Sequence, residues 1–478
     1  MELLASLSLH RGSIMLMLMM GMWACQPAKN EINKPSRVFL IYVDDLRPEL
    51  GCCGNPWVES PHLDRLAKDA LVFNRAYANV PVCGASRASM LSGMRPSRQR
   101  FLEASTRVEE DAPGAISLPA YLKQKGYVTL SMGKVFHHKN DCDTSWSHPP
   151  YRGPKQCNKD YALQVNIDID NHNPRRRAGA FEIADTTDEA YLDGKLAQYA
   201  ISQLDSAYSQ DTSLFMAVGF YKPHLPFTAP KRYWDLYDPT TLPFPHNYYV
   251  PKAAPASSMT NYGELRSYTD IPDGDAPLDS VTVQKLIHGY YACVSYTDAQ
   301  VGKFIQSLKD RDLYESSTIV VVGDHGWFLG EHTLWCKHAN YRAALRTALM
   351  IKFPQNTHRG HSDLPVELVE LYPSLVEIVG LEAPAHLQAN SFLPYLEDAT
   401  LGSESKEVYC RFQDGETLIQ GSLAFTEYVN DSGEVYAQML YEHQADPQEN
   451  HNVAELVEPS LVNSLSQKLT NYRKRYDQ

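Results

Sequence analysis

The run Val38-Phe39-Leu40-Ile41-Tyr42-Val43 is apolar at every position and rich in β-branched and aromatic side chains. Without a polar alternation it predicts a strand covered on both faces. It stops at Asp44-Asp45. Three other apolar runs end in the same way. Tyr127 to Met132 passes into Gly133-Lys134-Val135-Phe136-His137, Leu214 to Phe220 into Tyr221-Lys222-Pro223-His224, and Thr318 to Val322 into Gly323-Asp324-His325-Gly326. Ligands of open parallel sheets bind beyond the carboxyl ends of the strands. Four strands that deliver Asp, Lys and His there predict one site built from distant segments. Taken alone, Asp44-Asp45 reads equally as a strand-ending turn, since two adjacent carboxylates need either water or a cation.

Helical periodicity alternates with these strands. Ser60-Pro61 predicts a helix start, with Ser60 as N-cap and Pro61 at the first helical position, followed by Leu63, Leu66, Ala67 and Ala70 at helical spacing. Val283 to Leu308 reads as a long amphipathic helix with Leu286, Tyr290, Cys293, Thr297, Val301 and Phe304 near one face. Leu368 to Val379 reads as another, kinked at Pro373. The alternation predicts an α/β domain over residues 35–390. Beyond it, Glu407 to Phe412, Thr417 to Tyr428 and Val435 to Tyr441 read as strands, and Pro459 opens a helix carrying Val462, Leu465, Leu469 and Tyr472. Residues 391–478 are thus expected to form a small antiparallel sheet with a closing helix. The turn-rich segments 139–200 and 230–280 yield no fold from pattern and are expected to shape substrate subsites.

The first residues carry a separate signal. Arg11 precedes the apolar run Ile14 to Trp23, which ends at Ala24-Cys25-Gln26-Pro27. The run is short for a membrane span but suits an export signal over residues 1–25. Ala24 before Cys25 suggests a lipoprotein signal with Cys25 as the lipid anchor; simple secretion is the alternative. Either way the chain is expected to be exported, to the periplasm or as an outer-membrane or cell-surface lipoprotein. A composition of 43% hydrophobic and 21% charged residues is that of a globular protein and excludes extended disorder. The formal net charge of -13 argues against a nucleic-acid partner. An anionic ligand then requires a concentrated local positive site. The nine cysteines include no pair two residues apart, which disfavours a thiolate zinc site. Cys142 and Cys157 flank a loop-like stretch and read either as a disulfide or as two free thiols.

The most informative segment is Cys83-Gly84-Ala85-Ser86-Arg87-Ala88-Ser89-Met90-Leu91-Ser92-Gly93-Met94-Arg95-Pro96. It predicts a turn leading into a helix from about Ser86. A Cys at a helix N-terminus beside Arg87 sits in positive potential, although a buried structural thiol is the plainer reading. The segment resembles the type I sulfatase signature, with Ala85 where the commoner form has Pro. Asp44-Asp45, Gly133-Lys134 with His137, Lys222-Pro223-His224 and Asp324-His325-Gly326 resemble further blocks of that family, in order. Asp44-Asp45-Leu46-Arg47-Pro48, the stretch Asp324 to His332 with Trp335 and Lys337, and Tyr291-Ala292 with Val294-Ser295-Tyr296 look most like the iduronate-2-sulfatase branch. Leu440-Tyr441-Glu442 with Asp446-Pro447, Glu449 and Asn452 is similar to the family's C-terminal block.

The resemblance implies an alkaline-phosphatase-like fold, a mixed and largely parallel sheet between helices with a small C-terminal antiparallel sheet. It implies a sulfuric ester hydrolase in which a maturase converts Cys83 to formylglycine (3-oxoalanine), whose hydrate is the nucleophile. Asp44, Asp45, Asp324, His325 and the modified Cys83 would hold one Ca2+; hard carboxylate oxygens suit that cation, and the imidazole suits it least. Arg87 would hold the hydrated aldehyde, Lys134 and Lys337 would stabilise charge on the sulfate, His224 would protonate the leaving oxygen and His137 would act as the base of the second step. The expected substrate is a sulfated carbohydrate, either uronic-acid-containing or another sulfated polysaccharide fragment. Trp327, His332 and Lys222 are weaker substrate-contact candidates, as are Trp335, His338, Arg47 and the run Arg175-Arg176-Arg177, each with a packing or solvated reading beside it. Two rivals remain: a phosphonate or phosphate ester hydrolase on the same fold, and a non-catalytic sulfated-glycan-binding lipoprotein whose Cys83 is never converted.

Overall fold

In the computed structural model the apolar runs lie side by side, because none has a polar face to turn to water. The structure describes residues 36–477 except 155–158, 174–176, 208–211, 261, 399–400 and 403–404. The segment expected to be an export signal, with Cys25, and Cys157, Arg175 and Arg176, lie outside the described residues. The central sheet uses β1 (Arg37–Val43), β2 (Leu71–Phe73), β3 (Val128–Gly133), β4 (Leu214–Phe220), β5 (Thr318–Gly323), β6 (Leu349–Lys352) and β7 (Gly360–Ser362). Its order is β7-β2-β6-β5-β1-β4-β3. β1 is parallel to β4 and β5, and β3 is parallel to β4. Only β6 runs against both neighbours. The sheet is therefore mixed and mostly parallel, as the sequence predicts.

Register explains why the polar ends converge. Val43 lies opposite both Phe220 and Gly323, and Gly133 lies opposite Gly219. The next residues, Asp44, Asp324 and Lys134, therefore leave the sheet along one edge. Gly133 has φ +72°, and a Cβ there would sit 2.1 Å from the Gly219 carbonyl oxygen; a Cβ on Gly219 would strike the Lys134 backbone at the same distance. This pair of glycines lets the ends of β3 and β4 approach closely enough to turn Lys134 inward.

Helices cover both faces. Phe39, Ile41 and Val43 pack into one core with α1 (Pro61–Ala67), α3 (Leu192–Ala207) and α4 (Ser280–Lys309). Val38, Leu40 and Tyr42 pack into another with α2 (Cys83–Ser92) and α5 (Leu371–Ile378). The predicted stripe of α4 is buried along its length, Cys293 included.

Four local expectations are corrected. α2 begins at Cys83 itself, not near Ser86, so the thiol occupies its first turn. Ser60 precedes α1 but makes no side-chain cap; its hydroxyl accepts from the Gly51 N–H at 2.9 Å and donates to Asp64. Leu368–Glu370 is a 3-10 turn, and Pro373 lies in the first turn of α5, where its missing N–H costs nothing. Residues 417–428 are not one strand but parts of two. β8 (Glu407–Phe412), β9 (Gly415–Gln420), β10 (Leu423–Val429) and β11 (Val435–Glu442) form an antiparallel sheet, with Gly421 at φ +57° turning β9 into β10. The C-terminal helix α6 (Pro459–Tyr476) closes this sheet through Leu465 and Leu469. The Arg411 N–H donates to Asn79 O at 2.8 Å and the Tyr409 N–H to the Glu367 carboxylate at 2.9 Å, tying the small sheet to the segments beside α2 and α5. Residues 36–478 form one compact unit containing both sheets. Cys142 is a buried free thiol. No helix among the described residues is long and apolar enough to cross a membrane.

Candidate active site

Beyond the ends of β1, β3 and β5, Arg87 from α2 is fully buried between two acids. Its Nη2 is 3.0 Å from Asp44 Oδ1 and its Nε is 2.9 Å from Asp324 Oδ2. The guanidinium also donates to the carbonyls of Lys134 and Val135 and lies 4.7 Å from the centre of the Tyr42 ring. A buried guanidinium is tolerable only with this many partners. Ser86 adds a hydroxyl that donates to Asp324 O at 2.5 Å, locking α2 to the end of β5.

The two adjacent acids take different cations. Lys134 Nζ is 2.6 Å from Asp44 Oδ2, and Lys337 Nζ is 3.0 Å from Asp45 Oδ1. Burial pushes the Asp44 carboxyl up, but Lys134 and Arg87 outweigh it and hold the group below the ordinary carboxylate range. At Asp45 burial wins over Lys337, and neighbouring Asp44 adds to it, so the carboxyl is raised to about 7. Asp324 ends well below its usual value; burial is overcome by His325 and Arg87. Asp45 sits at φ 63°, and its N–H donates to Asp324 Oδ1 at 3.0 Å.

Cys83 faces this cluster. Its thiol lies 3.7 Å from Asp45 Oδ1 and 3.2 Å from His325 Nε2. Burial pushes the thiol pKa well above normal. The His325 Nδ1 faces Gly326 O at 2.9 Å, and its Nε2 faces Asp45 Oδ1 at 3.4 Å and Asp324 Oδ1 at 3.7 Å. So many carboxylate oxygens gathered in a buried space call for positive charge among them. Donor atoms of Asp44, Asp45, Cys83 and His224 lie within 4.8 Å of one another, as do those of Cys83, Asp324 and His325. The carboxylates of Asp44, Asp45 and Asp324 fit a hard divalent cation, and the thiol and imidazoles suit it least.

The remaining expected residues divide. His224 arrives from the loop after β4, with Nε2 3.9 Å from Asp45 Oδ2. Burial, then Lys337, lower its pKa to about 4. His137 is lowered to about 2 by burial and by Lys134, and its Nδ1 is buried without a hydrogen-bond partner. Trp327 lines the back of the site, 5.0 Å from Lys337 Nζ and stacked on Tyr290. Lys222 is buried and spends its ammonium on the carbonyls of His224 and Pro226, so it braces the loop that carries His224. His332 packs against Tyr341 and lines a different cavity, with Arg47, Glu331 and Glu449; Arg47 is held there by Glu49 and Glu331.

Sequence reasoning missed Glu264. Its two oxygens lie 3.0 Å from His224 Nε2 and 3.0 Å from Lys337 Nζ. It belongs to the 230–280 segment, where no periodicity marked it. A cleft of about 890 Å3 opens beside the site. It is lined by Val82 and His338, which neighbour Cys83 and Lys337 in sequence, and by the turns Phe412–Asp414 and Tyr428–Asp431 of the small sheet.

Buried cations on two adjacent acids, around a nucleophile position at a helix start, define an anionic-ester hydrolase site on an α/β fold. The sulfatase family matches residues 36–381, and the family described as N-sulphoglucosamine sulphohydrolase, C-terminal, matches residues 330–475. The chain belongs to the sulfatase family; it is a type I sulfatase and a sulfuric ester hydrolase. It is 32% identical to the iduronate 2-sulfatase of Homo sapiens over 401 residues, 76% of this chain and 72% of that one. A solved structure in complex with its substrate D-glucosamine-2-N,6-O-disulfate superposes with a TM-score of 0.72 at 19% identity, covering 93% of this chain and 98% of that one. The phosphonate monoester hydrolase from Silicibacter pomeroyi superposes with a TM-score of 0.71 at 23% identity, covering 92% and 96%.

Proposed function

We propose that this protein removes sulfate from carbohydrate, using a formylglycine made from Cys83 and one bound Ca2+. The observation that carries the reading is the enclosure of Cys83 by Asp45, which pairs with Lys337, and by His325, beside Asp44 and its partner Lys134. As a thiol, Cys83 is a poor nucleophile in this setting, because burial keeps it protonated. Conversion by a formylglycine-generating maturase supplies a hydrate oxygen as nucleophile, and Ca2+ supplies a Lewis acid held by Asp44, Asp45, Asp324 and His325. Lys134 and Lys337 present ammonium groups to the charge that builds on the sulfate oxygens. Arg87 keeps Asp44 and Asp324 apart and fixed. His224 Nε2 delivers a proton to the leaving sugar oxygen. His137, whose Nδ1 has no other partner, accepts a proton in the step that releases sulfate.

The likeness to iduronate 2-sulfatase supports a sulfated saccharide as substrate, uronic-acid-containing or another polysaccharide fragment. So does the C-terminal match to the sulphoglucosamine family. The cleft of about 890 Å3 has the size of a small-molecule site, with His338 stacked on Phe412 at its inner end. Export, with a lipid at Cys25, rests on the pattern of residues 1–25, and palmitate labelling of wild type and Cys25→Ala tests it.

The test of function is mass spectrometry of the Cys83 peptide together with parallel assays on matched aryl sulfate, phosphate and phosphonate esters. An aldehyde at position 83 with preferred sulfate turnover is expected. An intact thiol in the native host supports a sulfated-glycan-binding protein, and preferred phosphonate turnover supports the rival hydrolase.

A further inference from the structure

Glu264 is the one acid of the cluster that the cation set leaves over. Its Oε1 lies 3.0 Å from His224 Nε2 and its Oε2 lies 3.0 Å from Lys337 Nζ. Its side chain is 15% exposed. Burial opposes its ionisation, but Lys337 and His224 hold it well below the usual carboxylate range. It rides on the short turn Gly263–Arg266, anchored by buried Leu265 and lying against the strand Trp335–Cys336 that delivers Lys337. Arg177 reaches the cluster through Glu264, at 3.9 Å, and a third of its side chain is exposed, so water screens it.

On the reading above, His224 and Lys337 face the ester. We propose that Glu264 is a specificity-determining residue that sets the charge of the sulfate seat and tunes it for singly charged esters against doubly charged ones. Among carboxylates, ammonium groups and guanidiniums, Asp44, Asp45, Asp324 and Glu264 stand against Arg87, Lys134 and Lys337. With the imidazoles left aside, His224 among them at a pKa lowered to about 4, these groups carry one negative charge in excess, and a bound divalent cation would turn this into one positive charge. A sulfate monoester carries one negative charge and matches that seat. A phosphate monoester carries close to two above neutral pH. With Glu264 neutralised the seat gains a positive charge and matches the dianion instead. The same carboxylate explains how Lys337 stays in place once Asp45 gives its charge to a cation: Lys337 has a second anion at equal distance.

The experiment measures binding rather than turnover, in a Cys83→Ala background saturated with Ca2+. Affinities for 4-nitrophenyl sulfate and 4-nitrophenyl phosphate are measured by calorimetry above neutral pH, with Glu264 intact or changed. Glu264→Gln is expected to shift the sulfate-to-phosphate affinity ratio toward phosphate by about tenfold or more. Glu264→Asp keeps the charge and is expected to keep the ratio. Glu264→Thr is a second neutral variant should the first fail a melting check. A ratio that moves no further in the neutral variants than in Glu264→Asp overturns the proposal. Lys337→Ala in the same background separates the two levels. If it leaves both affinities unchanged, the ester does not sit on Lys337 and the underlying placement falls with the proposal. If it weakens both, the placement stands and the neutral variants alone decide the role of Glu264.

Discussion

His325 Nε2 stands 3.2 Å from Cys83 Sγ with its other nitrogen committed to Gly326 O. The pairing joins the end of β5 to the start of α2, elements 242 residues apart in sequence. It fixes Cys83 relative to the acids, and each prediction below perturbs one member of that arrangement.

Removing the cation should abolish turnover, and Ca2+ should restore it. Asp45, raised to about 7 when its cluster is unneutralised, carries a proton below that pH. Ca2+ must expel that proton, so its affinity should fall as pH drops from about 8 to about 6. Calorimetric titration at several pH values reads the slope. Full activity in verified metal-free protein, or an affinity that rises on acidification, contradicts the assignment.

On the proposed mechanism, Lys134→Ala and Lys337→Ala each remove an ammonium that stabilises the ester's charge. The expected loss in kcat on a small sulfate ester is about 10²–10³-fold, the usual cost of one preorganised contact to transition-state charge. Near-normal kcat in both folded variants shows that the ester lies elsewhere.

Arg87→Met removes the partner shared by Asp44 and Asp324 and leaves two buried acids facing each other. Breaking such a buried pair typically costs about 3–5 kcal/mol, so the metal-free protein should melt well below wild type. Saturating Ca2+ should recover part of the loss, because the cation neutralises the same oxygens. An unchanged melting temperature in chelator shows that Arg87 is not what balances these acids.

Much of this was legible in the chain. Strand ends at Asp44, Lys134, His224 and Asp324 are readable because doubly buried strands carry no polar residue until they leave the sheet. Cys83 was legible as a helix-associated thiol, but its position in the first turn was not, since Gly84-Ala85 reads as a turn and tertiary contacts decide where a helix starts. Glu264 was not legible. It lies in the four-residue helix Gly263–Arg266 that follows Tyr262, at φ 48°, in a stretch that packs against Trp335–Cys336 and is too short to show a periodicity of its own. His332 misled for the converse reason. It neighbours Trp327 in sequence, yet its φ of 59° and its packing on Tyr341 turn it to another cavity.

The side chain at position 83 tests the proposed formylglycine mechanism. Cys83→Ala removes the thiol that a maturase needs to make the aldehyde at this position and leaves Asp44, Asp45, Asp324, Lys134 and Lys337 in place. Turnover should vanish even in a host where wild-type conversion is verified by mass spectrometry. The pocket should still bind a sulfated oligosaccharide, because its cations do not depend on the side chain at 83. Rising salt should weaken that binding by screening the charged contacts. Turnover of sulfate esters by Cys83→Ala at the rate of the converted wild type would falsify the formylglycine mechanism for this protein. Loss of binding together with turnover, in a variant that melts normally, would instead mean that residue 83 helps to assemble the seat and that the lysines alone do not hold the ester.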